Sequence, residues 1–263
     1  MVILTSYHKS QGNYFQFYCG RQNMKKQNNF HVRTHYYPIY DFSNFCCDDQ
    51  KLADCQLILP SGEIIKAHIL LLANSSEFFY NAFTSGMTEQ VKREVNIKVN
   101  PMNLFPKVIQ WIYSSQIQVE ENEIMSLFSI ARVYGINSLY NLLEEKIKQK
   151  INPNNIYDYI NQCYDNELTS ELLFLTQYIA YFLPQLNLQS LSDNLDVPTF
   201  CQVLEKCEIE PEKKMTTLTT FLGNYQCTES DMEAIVQLFD PKNPLTRAAY
   251  KKLKPSWAPP GSF

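Results

Sequence analysis

The sequence predicts an α+β domain over residues 46–150, with a small sheet capped by helices, followed by an all-helical region over residues 151–227. Three observations carry this. Cys55 to Ala67 reads as two short strand-like runs around a turn, and Val91 to Val99 alternates as a further strand. From Leu104 onward they recur at three- and four-residue spacing, the period of a helix buried on one face. The Asn152-Pro153 step then punctuates the chain, and the residues beyond it read helical. Strands first and helices after is the α+β order.

Cys55-Gln56-Leu57-Ile58-Leu59 reads as a strand, Pro60-Ser61-Gly62 as a turn and Glu63-Ile64-Ile65-Lys66-Ala67 as the returning strand of a hairpin. His68 opens a helical stretch through Leu71 and Leu72. Asn74-Ser75-Ser76-Glu77 is a helix-start signature, because a short polar side chain can accept the free backbone N–H groups of the first turn. Phe78, Phe79, Ala82 and Phe83 then share one face, and Gly86 ends the helix. Val91 to Val99 alternates and is expected as a half-buried strand, with Met87-Thr88-Glu89 in the loop before it. Leu104, Phe105, Val108, Ile109, Ile112 and Tyr113 make a wide helical face, and Ile117-Gln118-Val119 a short strand. Ile124, Leu127, Phe128, Ala131 and Tyr134 make a helix ending at Gly135, and Leu139, Leu142, Leu143 and Ile147 the next.

Charge divides the chain differently from its total of −4. Residues 1–40 carry Lys9, Arg21, Lys25, Lys26 and Arg33 with no acid, and Lys242, Arg247, Lys251, Lys252 and Lys254 face none after residue 240. Residues 41–240 hold 13 basic and 27 acidic side chains. Residues 1–45 therefore read as a basic, aromatic-rich arm with one extended piece near Phe30 to Tyr40, and residues 228–263 as a short helix, about Asp231 to Phe239, and a proline-rich tail. Tyr14, Phe15, Phe17 and Tyr18 beside Arg21, Lys25 and Lys26 have the composition that stacks on single-stranded nucleic acid. The acidic body argues against it, so nucleic acid is not the expected partner.

Scarce glycine, 7 residues, excludes repeat blades and glycine-rich phosphate loops, which need positive φ at fixed intervals. The apolar stretch Leu172 to Leu183 is interrupted by Thr176 and Gln177, so it reads as a buried helix and not a membrane span. Met1-Val2-Ile3-Leu4 is too short for the apolar core of a signal peptide, which points inside the cell, to the cytoplasm with the nucleus as alternative. The eight cysteines contain no C-x-x-C pair and are expected as reduced thiols. The sharpest metal grouping is His31 and His35 with Cys46-Cys47; adjacent cysteines rarely both reach one tetrahedral ion, so no metal or cofactor is expected. Neither G-x-S-x-G nor G-x-x-x-x-G-K-[ST] occurs, and three of the four histidines lie in the arm, so no catalytic constellation is visible.

Four pieces, in order, resemble the BTB/POZ domain family: Leu52-Ala53-Asp54-Cys55-Gln56-Leu57; Ala67-His68 through Leu71-Leu72 with Ser75 and Phe78-Phe79; Gly86-Met87-Thr88-Glu89; and Trp111-Ile112-Tyr113-Ser114 with Ile117. The resemblance covers Leu52 to about Ile147. It implies that Asp54 and His68 are fold-signature residues, the imidazole satisfying nearby backbone. It further implies that Met87 and Glu89, with neighbouring surface such as Tyr134, contact a cullin scaffold of E3 ubiquitin ligases. A flexible Met entering a groove beside a Glu that steers charge is a sensible contact pair. The competing possibility is that Met87 closes the local core and Glu89 is solvated. Asn154 to Tyr225 is similar to the helical BACK extension that follows the domain in many adaptors, through Ile156, Tyr159, Ile160 and Cys163, then Leu172, Leu175, Tyr178, Ile179 and Phe182, then Phe200, Val203 and Leu204.

The sequence departs from the family where Ile69 stands in place of a basic residue, which weakens a corepressor-binding reading. Ser43 to Lys51 has too few apolar residues for the helix that dimerising members carry, so homodimerisation stays open. The resulting expectation is a non-enzymatic adaptor that recruits an unidentified protein to a cullin-type ligase, with a BTB-mediated oligomerisation scaffold as the alternative. Substrate choice would come from the arm, the helices, the tail or a partner.

Overall fold

A computed structural model describes residues 2–4, 30–33, 52–223, 225 and 227–238. The chain divides into two compact units, Met1–Lys150 and Ile151–Phe263.

In the first unit the strands are β1 (Val2–Leu4), β2 (Phe30–Arg33), β3 (Cys55–Ile58), β4 (Ile64–Ala67), β5 (Glu94–Asn96) and β6 (Gln116–Val119). They form two three-stranded sheets, ordered β4-β3-β5 and β1-β2-β6. The β3–β4 hairpin is antiparallel with Cys55 opposite Ala67 and Leu57 opposite Ile65, while β5 joins the other edge of β3 in parallel. Gly62 at the hairpin turn has φ +85°, a conformation in which glycine carries no side-chain penalty. The extended piece expected near Phe30 is the strand β2, which runs antiparallel to β6 and parallel to β1.

The helices of this unit are α1 (Ile69–Ser75), α2 (Glu77–Thr84), α3 (Thr88–Lys92), α4 (Phe105–Ser114), α5 (Ile124–Val133) and α6 (Asn137–Lys150). Ser76 starts α2 by accepting the Phe79 N–H at 3.1 Å and also donates to the Tyr134 carbonyl, so one hydroxyl ties α2 to the end of α5. Leu57, Leu72, Phe79, Phe105, Val108, Ile117 and Leu127 fill the core, none more than 1% exposed. Glu123, at the start of α5, holds the Lys107 ammonium with both carboxylate oxygens at 2.6 Å and accepts the Glu120 N–H, so these donors offset its burial. Gly135 follows α5 at φ +60°, as expected for a left-handed C-cap.

The continuous strand expected over Val91 to Val99 is not formed. Thr88–Lys92 is a helical turn, Arg93 ends it at φ 56°, and only Glu94–Asn96 is strand. The physical reason is local: Gln90 Oε1 accepts the Gly86 N–H at 2.6 Å, which closes the turn, and the left-handed Arg93 redirects the backbone so that its carbonyl accepts the Gln56 N–H at 2.9 Å. Met87-Thr88-Glu89 is accordingly the start of a helix and not a loop.

The second unit contains α7 (Ile156–Asp165), α8 (Thr169–Phe182), α9 (Leu188–Ser192), α10 (Val197–Lys206), α11 (Pro211–Leu222) and α12 (Glu229–Leu238). Ile156, Tyr159, Ile160 and Cys163 are buried on α7, Leu172, Leu175 and Ile179 on α8, and Phe200, Val203 and Leu204 on α10. Phe200 stacks on Phe221 of α11 with ring centroids 3.8 Å apart. Short side-chain caps start two of the later helices: Asn187 accepts from Gln189 and Ser190, and Asp196 from Thr199. No helix among the described residues is long and apolar enough to cross a membrane.

Candidate partner-docking site

Four of the five residues marked by sequence lie where a helix begins or ends, and the structure shows what each does there. The fifth, Asp54, precedes β3, accepts the Ile69 N–H at 2.8 Å and donates its own N–H to the Ala67 carbonyl. One residue thus joins both hairpin strands to the start of α1. His68, the N-cap of α1, makes no side-chain cap bond. Its backbone N–H reaches the Tyr113 hydroxyl at 3.0 Å, and its Nδ1 lies 2.8 Å from the same oxygen. The imidazole is expected from sequence to satisfy nearby backbone; a tyrosine hydroxyl from α4 takes that backbone group, and the imidazole bonds the hydroxyl. Tyr113 sits in the helix-end segment after Trp111, and the segment's apolar character hides this polar role.

Met87 sits at the N-cap of α3 with extended backbone and is 62% exposed. It therefore does not close the local core. Val91, one helical turn on, is 81% exposed, and residues four apart lie on one helix face. The two make an apolar strip facing solvent. Glu89 lies in the first turn, where the helix dipole favours a carboxylate, and its Oε2 accepts the Thr88 hydroxyl at 3.3 Å. Sequence reasoning misses Val91 because the apparent alternation assigns it to a strand.

Tyr134 is expected from sequence on the same partner-facing surface, and the structure corrects this: it is 2% exposed. Its ring stacks on Phe79 at 6.1 Å and meets Phe78 and Phe105 edge-on at 5.1 and 5.2 Å. Its hydroxyl oxygen accepts the N–H groups of both Lys98 and Val99 at 2.9 Å. Burial pushes the phenol up from its ordinary value, with the two backbone bonds opposing. Tyr134 is thus a core clamp on the segment between β5 and α4. The apolar face of α5 favours this inward position, since Tyr134 continues the buried spacing of Ile124, Leu127 and Ala131.

No group of three or more metal-ligating side chains occurs among the described residues. His35, Cys46 and Cys47, and the side chain of His31, lie outside them, as do Ser43 to Lys51.

Residues 42–151 match the family model for the BTB/POZ domain. Kelch-like protein 40 of Xenopus laevis is 27% identical over 104 residues, which is 40% of this chain and 17% of that protein. Kelch repeat and BTB domain-containing protein 8 of Xenopus tropicalis is 29% identical over 108 residues, 41% of this chain and 18% of that protein. The chain thus spans less than a fifth of the length of these curated relatives. Among solved structures, the BTB (Tramtrack and Bric a brac) domain of human Gigaxonin aligns over 40% of this chain and 86% of its own, at 18% identity and a TM-score of 0.36.

Proposed function

Because residues 42–151 match the BTB/POZ family model, we propose that the protein is a non-catalytic adaptor that docks a cullin scaffold of an E3 ubiquitin ligase and presents another protein to it. The observation that carries the reading is the solvent-facing strip of Met87 and Val91 on α3, with Glu89 in the same turn. Burying a Met or Val side chain contributes about 1.5–3 kcal/mol, so two such residues at the centre of a contact give it an anchor, and Glu89 adds charge selectivity at its edge. The helical unit follows the BTB/POZ match in the chain, as a BACK extension does in adaptors of this kind, and in this reading it recruits the protein to be presented. The protein would act inside the cell, in the cytoplasm or nucleus.

A second reading, self-association through the BTB/POZ domain without a ligase role, is favoured by Leu70 on α1, which is 76% exposed. Multi-angle light scattering separates the two. The purified chain mixed with a cullin N-terminal domain should elute as a complex with the summed mass of both. A homodimer whose mass ignores added cullin would overturn the adaptor reading in favour of the scaffold.

A further inference from the structure

The helical unit has its own electrostatic order. Between Ile151 and Leu238 there are thirteen acidic side chains and three basic, Lys206, Lys213 and Lys214. All three cations lie at one end of the helices that carry them: Lys206 at the C-terminus of α10, Lys213 and Lys214 at the N-terminus of α11. At the other end of α10 and α11, a helix length of about 15 Å away, a groove of about 560 Å³ opens. Its floor is apolar, made by Leu195, Val197, Phe221 and Leu222. Asp193 and Asp196 stand exposed along it, Asp231 is buried beneath it, and there is no basic side chain in the lining.

We propose that this groove binds a lysine- or arginine-rich segment of a partner protein. The mixed lining suits such side chains: a long aliphatic stem covers apolar surface while its charged head stays at a polar edge. Two of the carboxylates are fixed in place. Asp196 accepts the Thr199 N–H at 2.7 Å and the Tyr164 hydroxyl at 2.8 Å, and Asp231 accepts the Thr228 N–H and hydroxyl, both at 2.8 Å, and the Tyr225 hydroxyl at 3.2 Å. Asp193 is exposed at the end of α9. The C-terminus of α11 also ends here, its negative pole set against the positive poles at the starts of α10 and α12, which Asp196 and Asp231 offset. Tyr225, 55% exposed in the same lining, presents a ring that a cation can approach. This is a second surface of the kind an adaptor needs, and it stands independently of the cullin contact.

The test uses the full chain and a short fluorescein-labelled peptide rich in Lys and Arg, with fluorescence anisotropy as the readout. Asp193→Lys should weaken binding at least about tenfold, because it reverses a rim charge without removing a cap. Glu208→Lys makes the same charge change beyond the opposite end of α10 and should alter affinity by less than about twofold. Equal losses for the two variants would mean nonspecific attraction to an acidic surface and would overturn the proposal. So would absence of binding by the unaltered chain. Binding that appears only after residues 241–263 are removed would assign the groove to the chain's own basic segment, and would also overturn it.

Discussion

The Asp54 carboxylate accepts the Ile69 N–H at 2.8 Å, capping a helix whose N-cap residue, His68, makes no side-chain cap bond. The acceptor comes from fifteen residues earlier in the chain, so the bond fixes α1 against the β3–β4 hairpin as well as satisfying its first turn. Asp54→Ala should destabilise the chain by about 1 kcal/mol, the usual cost of losing a helix cap, and Asp54→Asn by less, since an amide oxygen can still accept. Urea denaturation of the three proteins checks this; equal midpoints would remove the bond from the stability of the fold.

Tyr134 holds two backbone N–H groups with one hydroxyl oxygen. Tyr134→Phe keeps the aromatic packing and strands both donors, for an expected loss of about 1–3 kcal/mol. Because the ring is buried, cullin affinity should stay at the wild-type value under conditions where the variant is folded. A variant of unchanged stability with weakened cullin binding would return Tyr134 to the contact surface.

Burial pushes the Cys55 and Cys201 thiols up to about 12, aided by the nearby Asp54 and Asp231 charges respectively, and raises Cys163 as well. The thiolate is the reactive form, so near pH of about 8 these three should resist a thiol reagent while the protein is folded. Peptide mapping after timed alkylation should show them modified only at the rate of unfolding. Faster modification at Cys55, Cys163 or Cys201 would contradict their burial.

Burial also raises Tyr164 to about 12, with the bond from the Asp196 N–H opposing and the Asp196 carboxylate adding to the rise. The folded state therefore favours the neutral phenol. This contribution is complete below the ordinary phenol value of about 10 and is lost as pH climbs through about 12. Stability should fall over that window, and Tyr164→Phe should flatten the fall. Denaturation midpoints measured across the window in both proteins decide it, and parallel curves would exclude Tyr164 as a source.

The residues legible in the sequence are those whose role is set by near neighbours. Ser76 caps α2 within its own turn, Gly135 ends α5, and the faces of α7, α8 and α10 bury most of the residues their spacing marks. The hidden ones depend on residues distant in the chain or on a single backbone angle. Val91 looks like the first member of an alternating strand, and only the left-handed Arg93 separates it from β5 and turns it outward. Tyr134 has the polar tip of a surface residue, yet its partners are the N–H groups of Lys98 and Val99, more than thirty positions earlier. The acidic groove of the helical unit draws on α9, α10, α11 and α12, and no local motif announces it.

The central claim is that the exposed face of α3 docks a cullin. Isothermal titration of the full chain with a cullin N-terminal domain measures it most directly, comparing wild type with Met87→Ala/Glu89→Ala. Met87 is 62% exposed and Glu89 sits on a short surface helix, so the variant should keep its unfolding midpoint. The wild type should bind, and the variant should lose at least about tenfold in affinity, as when an anchoring side chain is truncated. Equal affinities for the two proteins, or no binding by the wild type, would contradict it.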